Sequence, residues 1–304
     1  MNTVLITGPT GIGKSKLVEI INKKVKCIVI NTDSLQVYSS LSVITARPKP
    51  RSNYFLYGHI PVDLNYSVGA WLEDVKKILD DINLLNKYQA VIFVGGTGLY
   101  FTRLLNGIAS IPRTDPSVRK KVLDQYKEKG LDYFLFKLKD FDPITFKNID
   151  RNNPRRVLRA WEILESTGKS IGYWQKKRNP PLLLKSETKK IILNARKSFL
   201  DVENEKRFKL MLKNGAIDEC RTAKNNGMTP GSQSFKAIGI SELSQFFDGS
   251  LTLREVEKKG VIRTRQYSKR QMTWFRNNFA DWISFNVEEL NYSQIAEKII
   301  SMIN

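Results

Sequence analysis

The chain has 304 residues, room for one large α/β domain plus a smaller inserted or appended one. A hydrophobic content of 41% is enough for a packed core and excludes wholesale disorder. Lys and Arg number 50 against 30 Asp and Glu, a formal net charge of +20, which points to a polyanionic partner, either nucleic acid or a membrane surface.

Residues 3–7 form the first expected strand. The chain passes from Met1 straight into TVLIT, and no apolar run approaches the roughly 18–20 residues that cross a bilayer. Neither a membrane span nor a targeting segment is therefore expected, and the protein reads as cytoplasmic. A glycine-rich turn, GPTGIGKS, leads into a helix that places Leu17, Ile20 and Ile21 on one face. CIVIN (27–31) is a second strand and AVIFVGG (90–96) a third. Both are almost continuously apolar, as parallel strands covered on both faces are.

Between about 115 and 188 the pattern changes. Leu123, Tyr126, Leu131, Tyr133 and Phe134 suggest helices, 151–178 is basic and helical, and two prolines break RNPPLLLK (178–185). KKIILNA (189–195) is a fourth strand, and 197–277 is mostly helical, with DVENEKRFKLMLKNGAIDECRTAKNNG ending at Gly227. Strands alternating with helices predict a doubly wound parallel sheet. The expected organisation is an α/β core over 1–114, a helical insertion over 115–188, and the rest of the core over 189–304. The two cysteines, Cys27 and Cys220, and the one histidine, His59, form no metal-ligand spacing, so the cysteines are expected to be small core residues in a reducing compartment.

Gly8, Pro9, Thr10, Gly11, Ile12, Gly13, Lys14 and Ser15 satisfy the P-loop pattern between a strand and a helix. Backbone N–H groups there can cradle phosphate oxygens, Lys14 supplies a point charge, and Ser15 can ligate Mg²⁺. The motif implies only that a diphosphate or triphosphate binds. Many P-loop enzymes carry an acid at the end of a later apolar strand. Here that strand runs into Gly95, Gly96 and Thr97, with no carboxylate, which argues against an ATP-using kinase.

An aspartate, Asp33, does follow CIVIN. It is either a cap for the turn beginning at Ser34 or a catalytic carboxylate, just as Thr97 is either a helix cap or a site hydroxyl. Ligands of parallel α/β sheets bind outside the carboxyl ends of the strands. The P-loop, Asp33 and Thr97 all follow such ends, so one crevice can hold a departing diphosphate and a group that removes a proton.

Two stretches are poor in acid. Residues 151–178 hold eight Lys/Arg against two Glu, and 258–276 hold seven Lys/Arg and no acid. Helical spacing puts Arg263 and Arg270 on one side and Arg265, Lys269 and Arg276 on another, with Tyr267, Trp274 and Phe275 interleaved. Cations that position phosphates and aromatics that stack on bases suit an RNA partner.

Taken with TDSLQVY (32–38), TARP (45–48), VGGTGLYFTRLLNG (94–107), DPSVRKKV (115–122), NNPRRVLRAWEI (152–163), KAIGISEL (236–243) and RTRQYSKRQMTWFR (263–276), the P-loop makes the chain resemble the tRNA dimethylallyltransferases over roughly residues 1–280. The resemblance implies a P-loop NTPase-like core with an inserted, mainly helical tRNA-binding domain; a monomer is expected. It implies that the P-loop holds the diphosphate of dimethylallyl diphosphate rather than ATP, with Mg²⁺ as cofactor. The dimethylallyl group would pass to N6 of the adenosine 3′-adjacent to the anticodon of the tRNA stem-loop.

Carried over by position, Asp33 would be the general base and Thr97 would lie against it and the adenosine. Asp33, Ser34, Leu35, Gln36, Thr97 and Arg119 would touch tRNA, as would Arg155, Arg156, Val157, Leu158 and Arg159. The same holds for Lys236, Ala237, Ile238, Gly239, Ile240 and Ser241. The chain departs from the family in that last segment, which lacks the usual tyrosine and terminal cation, and at Glu203, where an arginine is usual. Arg207 is the nearest cation able to replace it. Three other readings compete: a small-molecule kinase, a prenyltransferase of free adenine nucleotides, and a non-catalytic RNA-binding module. The Gly95-Gly96 pair opposes the first, the basic segment 151–178 the second, and an intact P-loop the third.

Overall fold

The computed structural model describes residues 2–303. The chain divides into two compact units, one made of the residues up to Leu105 and from Leu183 on, the other Asn106–Leu182. In the larger unit, β1 (Asn2–Thr7) leads through the glycine turn into α1 (Lys14–Lys24), then β2 (Cys27–Asn31) and the short β3 (Tyr54–Phe55). Helices α2 (Val68–Asp80) and α3 (Ile82–Leu85) precede β4 (Ala90–Gly95), and α4 (Gly98–Asn106) leaves the sheet. β1, β2 and β4 are the expected strands.

The helical unit holds α5 (Pro116–Phe141), α6 (Pro143–Asn148), α7 (Pro154–Thr167) and α8 (Ile171–Lys176). The sequence places an insertion at 115–188. The unit begins earlier because Asn179 N–H donates to Ile108 O (2.9 Å) and Ser110 N–H to Lys177 O (2.8 Å), tying its two ends together. It ends earlier because Thr188 already belongs to a strand. α5 starts on the side chain of Asp115, which accepts from Ser117 N–H, and breaks at Gly130 (φ 73°). Its buried residues Val122, Phe134 and Leu138 pack on Val157, Ala160 and Trp161 of α7. The residue turned inward is Val122, while Leu123 is exposed.

The chain returns as β5 (Thr188–Asn194), then α9 (Lys197–Met211), a π-turn over Leu212–Ala216 and α10 (Ile217–Asn225). After these come α11 (Ile240–Phe247), α12 (Leu253–Asn278), β6 (Ile283–Asn286) and α13 (Tyr292–Ile303). The strands lie in the order β3-β2-β4-β1-β5-β6, and every pair is parallel. β3 and β6 are the edges, and neither is visible in the sequence pattern. Leu17, Val18 and Ile21 of α1 and Ile295, Ala296 and Ile299 of α13 bury against one side of the sheet with Val4, Ile6 and Ile92. Both cysteines are buried thiols, as expected.

Candidate active site

β2, β4 and β1 are neighbours in the sheet, so the segments leaving their carboxyl ends lie side by side. These segments carry Asp33, Thr97 and the P-loop. Thr97 N–H donates to Thr32 O (3.1 Å), and the Thr97 hydroxyl accepts from Ser34 N–H (3.0 Å). The hydroxyl thus ties the β4 exit to the β2 exit rather than capping α4. Asn31 fixes the same turn, its Oδ1 accepting from Asp33 N–H at 2.8 Å.

The two oxygens of Asp33 differ. Oδ1 accepts from Leu35 N–H at 3.0 Å, an Asx turn that fits the cap reading. Oδ2 has no hydrogen bond among the described residues, and Asp33 lines a cavity of about 60 Å³. The carboxylate therefore caps and also faces open space.

The glycine pair after β4 has a steric cause. A Cβ on Gly95 would collide with the backbone of Thr32, and one on Gly96 with the amide of Gln271. The position where a second acid would stand is filled by chain. Gln271, from α12, is 6% exposed. Its Oε1 accepts from Thr10 N–H (2.8 Å) and its Nε2 donates to Gly96 O (2.8 Å), so one side chain clamps the P-loop to the β4 exit.

In the P-loop, Lys14 Nζ donates to Gly8 O (2.8 Å) and Pro9 O (2.9 Å). Burial lowers its pKa to about 8, with Asp33 pulling it back up and Arg207 adding to the fall. Arg207, on α9, donates to the Thr10 hydroxyl, so the cation expected to replace the usual arginine does reach the P-loop. Burial also lowers its pKa, opposed by Asp33. Ile12 is fully buried and serves the core. Ser15 is exposed in the first turn of α1. Mg²⁺ takes hard oxygen ligands and keeps several waters, so one hydroxyl plus diphosphate oxygens suits it. Ser15 fits that donor set. Among the described residues no cluster of His, Cys, Asp or Glu could hold a metal unaided.

The cavity beside Asp33 has two characters. Thr10, Asp33, Asn204 and Arg207 are polar residues of its lining, and Leu35, Ile44, Phe208, Met211, Ala237 and Ile238 are apolar ones. Of the residues carried over for tRNA contact, Leu35, Ala237 and Ile238 thus line this cavity with Asp33. Gln36 instead donates to Thr45 O (2.9 Å) and holds the following loop. Gly239 precedes α11 at φ 98°, Ile240 is fully buried, Ser241 is half-buried and Lys236 is exposed. Five hydrogen bonds from Ser42, Val43 and Ile44 to the Glu219 carboxylate set the loop that presents Ile44.

In the helical unit, Arg155 and Arg156 are exposed, but Val157 is fully buried and Leu158 is 7% exposed, both in the core. Their side chains serve the packing of this unit. Arg119 and Arg159 converge on the Glu162 carboxylate at 3.8 and 3.1 Å. On α12, Phe275 is buried against Phe279 and cannot stack on a base. Trp274 packs against Gly98, and Tyr267 lines the cavity. Sequence reasoning missed Gln271 and Asn204 as site residues, since each is a lone polar side chain in a helix rich in charge.

A family described as IPP transferase has a sequence model that matches residues 36–278. A tRNA dimethylallyltransferase of Rhizobium etli is 38% identical over 92% of this chain and 95% of its own. One from Ruegeria sp. is 40% identical over 92% of this chain and 93% of its own. A solved tRNA delta(2)-isopentenylpyrophosphate transferase from Staphylococcus epidermidis superposes with a TM-score of 0.69 at 28% identity, over 99% of this chain and 98% of that one. A eukaryotic dimethylallyltransferase acting on tRNA, 24% identical, shares the fold at a TM-score of 0.82, over 99% of this chain and 78% of that one.

Proposed function

This chain belongs to the IPP transferase family, and from that premise we propose that it moves the dimethylallyl group of dimethylallyl diphosphate to tRNA. The acceptor atom in this reading is N6 of the adenosine immediately 3′ of the anticodon. The observation that carries the proposal is the cavity whose lining joins Asp33 to the P-loop residue Thr10 and to the apolar side chains Leu35, Ile44, Phe208 and Met211. A diphosphate suits the first and a five-carbon group the second.

The adenine N6 amine is a poor nucleophile because its lone pair is delocalised into the ring. As N6 attacks the allylic carbon, the carbon–oxygen bond to the diphosphate breaks and the N6 proton passes to Asp33 Oδ2. A positioned base of this kind contributes ~10²–10⁴ in rate. Charge grows on the departing diphosphate, where Lys14, Arg207 and the loop amides stabilise it. Ser15 would hold Mg²⁺, which would supply further positive charge beside the leaving diphosphate. Thr97 holds the Asp33 turn through Ser34. N6 is inaccessible within a stacked anticodon loop, so the adenosine must be turned out to reach the carboxylate. Arg119, Arg155, Arg156 and Arg159 bind RNA phosphates.

Incubation with labelled dimethylallyl diphosphate and an unmodified anticodon stem-loop tests the reading. Label is expected on the adenosine 3′ of the anticodon, with diphosphate released. Label transferred to free adenine nucleotides instead, or ATP turnover without RNA labelling, would overturn it.

A further inference from the structure

On α9 the residues turned into the protein are Leu200, Asn204, Phe208 and Met211, spaced as one helical face. Three are apolar. Asn204 is fully buried, yet neither its Oδ1 nor its Nδ2 has a hydrogen-bond partner among the described residues. A buried amide without partners destabilises the fold, and an apolar residue of the same shape would suit the position better. The side chain is aimed at the phosphate cradle. A Cβ built on Gly11, whose φ is 84°, would collide with Asn204 Oδ1 and lie 3.0 Å from its Cγ. One turn along the same helix, Arg207 donates to the Thr10 hydroxyl. Both residues line the cavity beside Asp33.

We propose that Asn204 is a further ligand of the donor, its Nδ2–H group donating to an oxygen of the diphosphate held by the P-loop. The inference rests on the P-loop being the seat of the donor diphosphate. The partner missing from the protein is then supplied by the substrate. A hydrogen bond to a charged oxygen in a buried site gives Asn204 an effect on donor affinity that a packing residue would not have.

The test is calorimetric titration of the full chain with inorganic pyrophosphate, comparing wild type with Asn204→Leu and Asn204→Ala. Both variants are expected to bind pyrophosphate about tenfold to a hundredfold more weakly. Ligand-free Asn204→Leu should melt no lower than wild type, and its affinity for an anticodon stem-loop should be unchanged. Asn204→Ala serves where leucine disturbs packing. Wild-type affinity for pyrophosphate in a folded variant overturns the inference alone. Failure of the wild type itself to bind pyrophosphate and dimethylallyl diphosphate overturns the assignment of the P-loop, and the role of Asn204 with it.

Discussion

At the scale of single residues, Lys14 is the group whose charge depends on its surroundings within the working pH range. Burial lowers its pKa to about 8, so the free protein loses that charge as the pH rises through this value. kcat/KM for the donor reports the free enzyme, so it should fall across about pH 8, and Lys14→Arg, whose guanidinium stays charged, should move the fall upward. A profile flat through that range would contradict the role. For stability the sign is opposite: a lowered folded pKa means the contribution of Lys14 is present above its ordinary value and lost as the pH drops through about 8. Lys14→Ala should weaken donor binding and leave tRNA binding nearly intact, which filter binding of a stem-loop checks. The P-loop, Asp33 and Thr97 were legible because each sits at the end of an apolar run. Asn204 and Gln271 were not, because a polar residue in a charged helix looks solvated until the helix is packed. The double use of Asp33, as a cap through Oδ1 and as a residue lining the cavity, is also beyond reading from spacing.

At the scale of elements, α12 does more than present cations. Its seven Lys/Arg from 258 to 276 have no acid among them in the sequence. In the fold, however, Arg263 reaches Glu242 of α11 at 2.6 Å and Arg265 reaches Glu205 of α9 at 2.6 Å. Those acids are distant along the chain, which is why the pattern overstated the helix's free charge. The same helix carries the Gln271 clamp. Gln271→Ala leaves the half-buried Thr10 N–H and the buried Gly96 O without their partner, and a buried group so stranded costs about 1–3 kcal/mol. A lower midpoint in urea at unchanged slope is expected, together with weaker pyrophosphate binding. Wild-type stability would remove the clamp from the account. The central strands were readable because burial on both faces makes them continuously apolar. β3, with two residues, and β6, with four, are too short to leave a periodic signal.

At the scale of the whole molecule, the +20 charge is the property most easily linked to an RNA substrate. Within the helical unit Arg155 and Arg156 are exposed, while Glu162 gathers Arg119 and Arg159. Replacing Arg155 and Arg156 by Gln should reduce the slope of log affinity against log salt by about one to two units, the share of two phosphate contacts. An unchanged slope would take this helix out of the RNA interface. Both substrates meet at one carboxylate in this mechanism, which single-turnover prenylation of an anticodon stem-loop by Asp33→Asn at saturating donor tests. Asparagine keeps the size and the oxygen that accepts from Leu35 N–H, and it caps as well as aspartate, but it cannot take the N6 proton. The expected rate is lower by ~10²–10⁴, with donor and RNA affinities nearly unchanged. Prenylation at close to the wild-type rate would contradict it and leave Asp33 a turn residue.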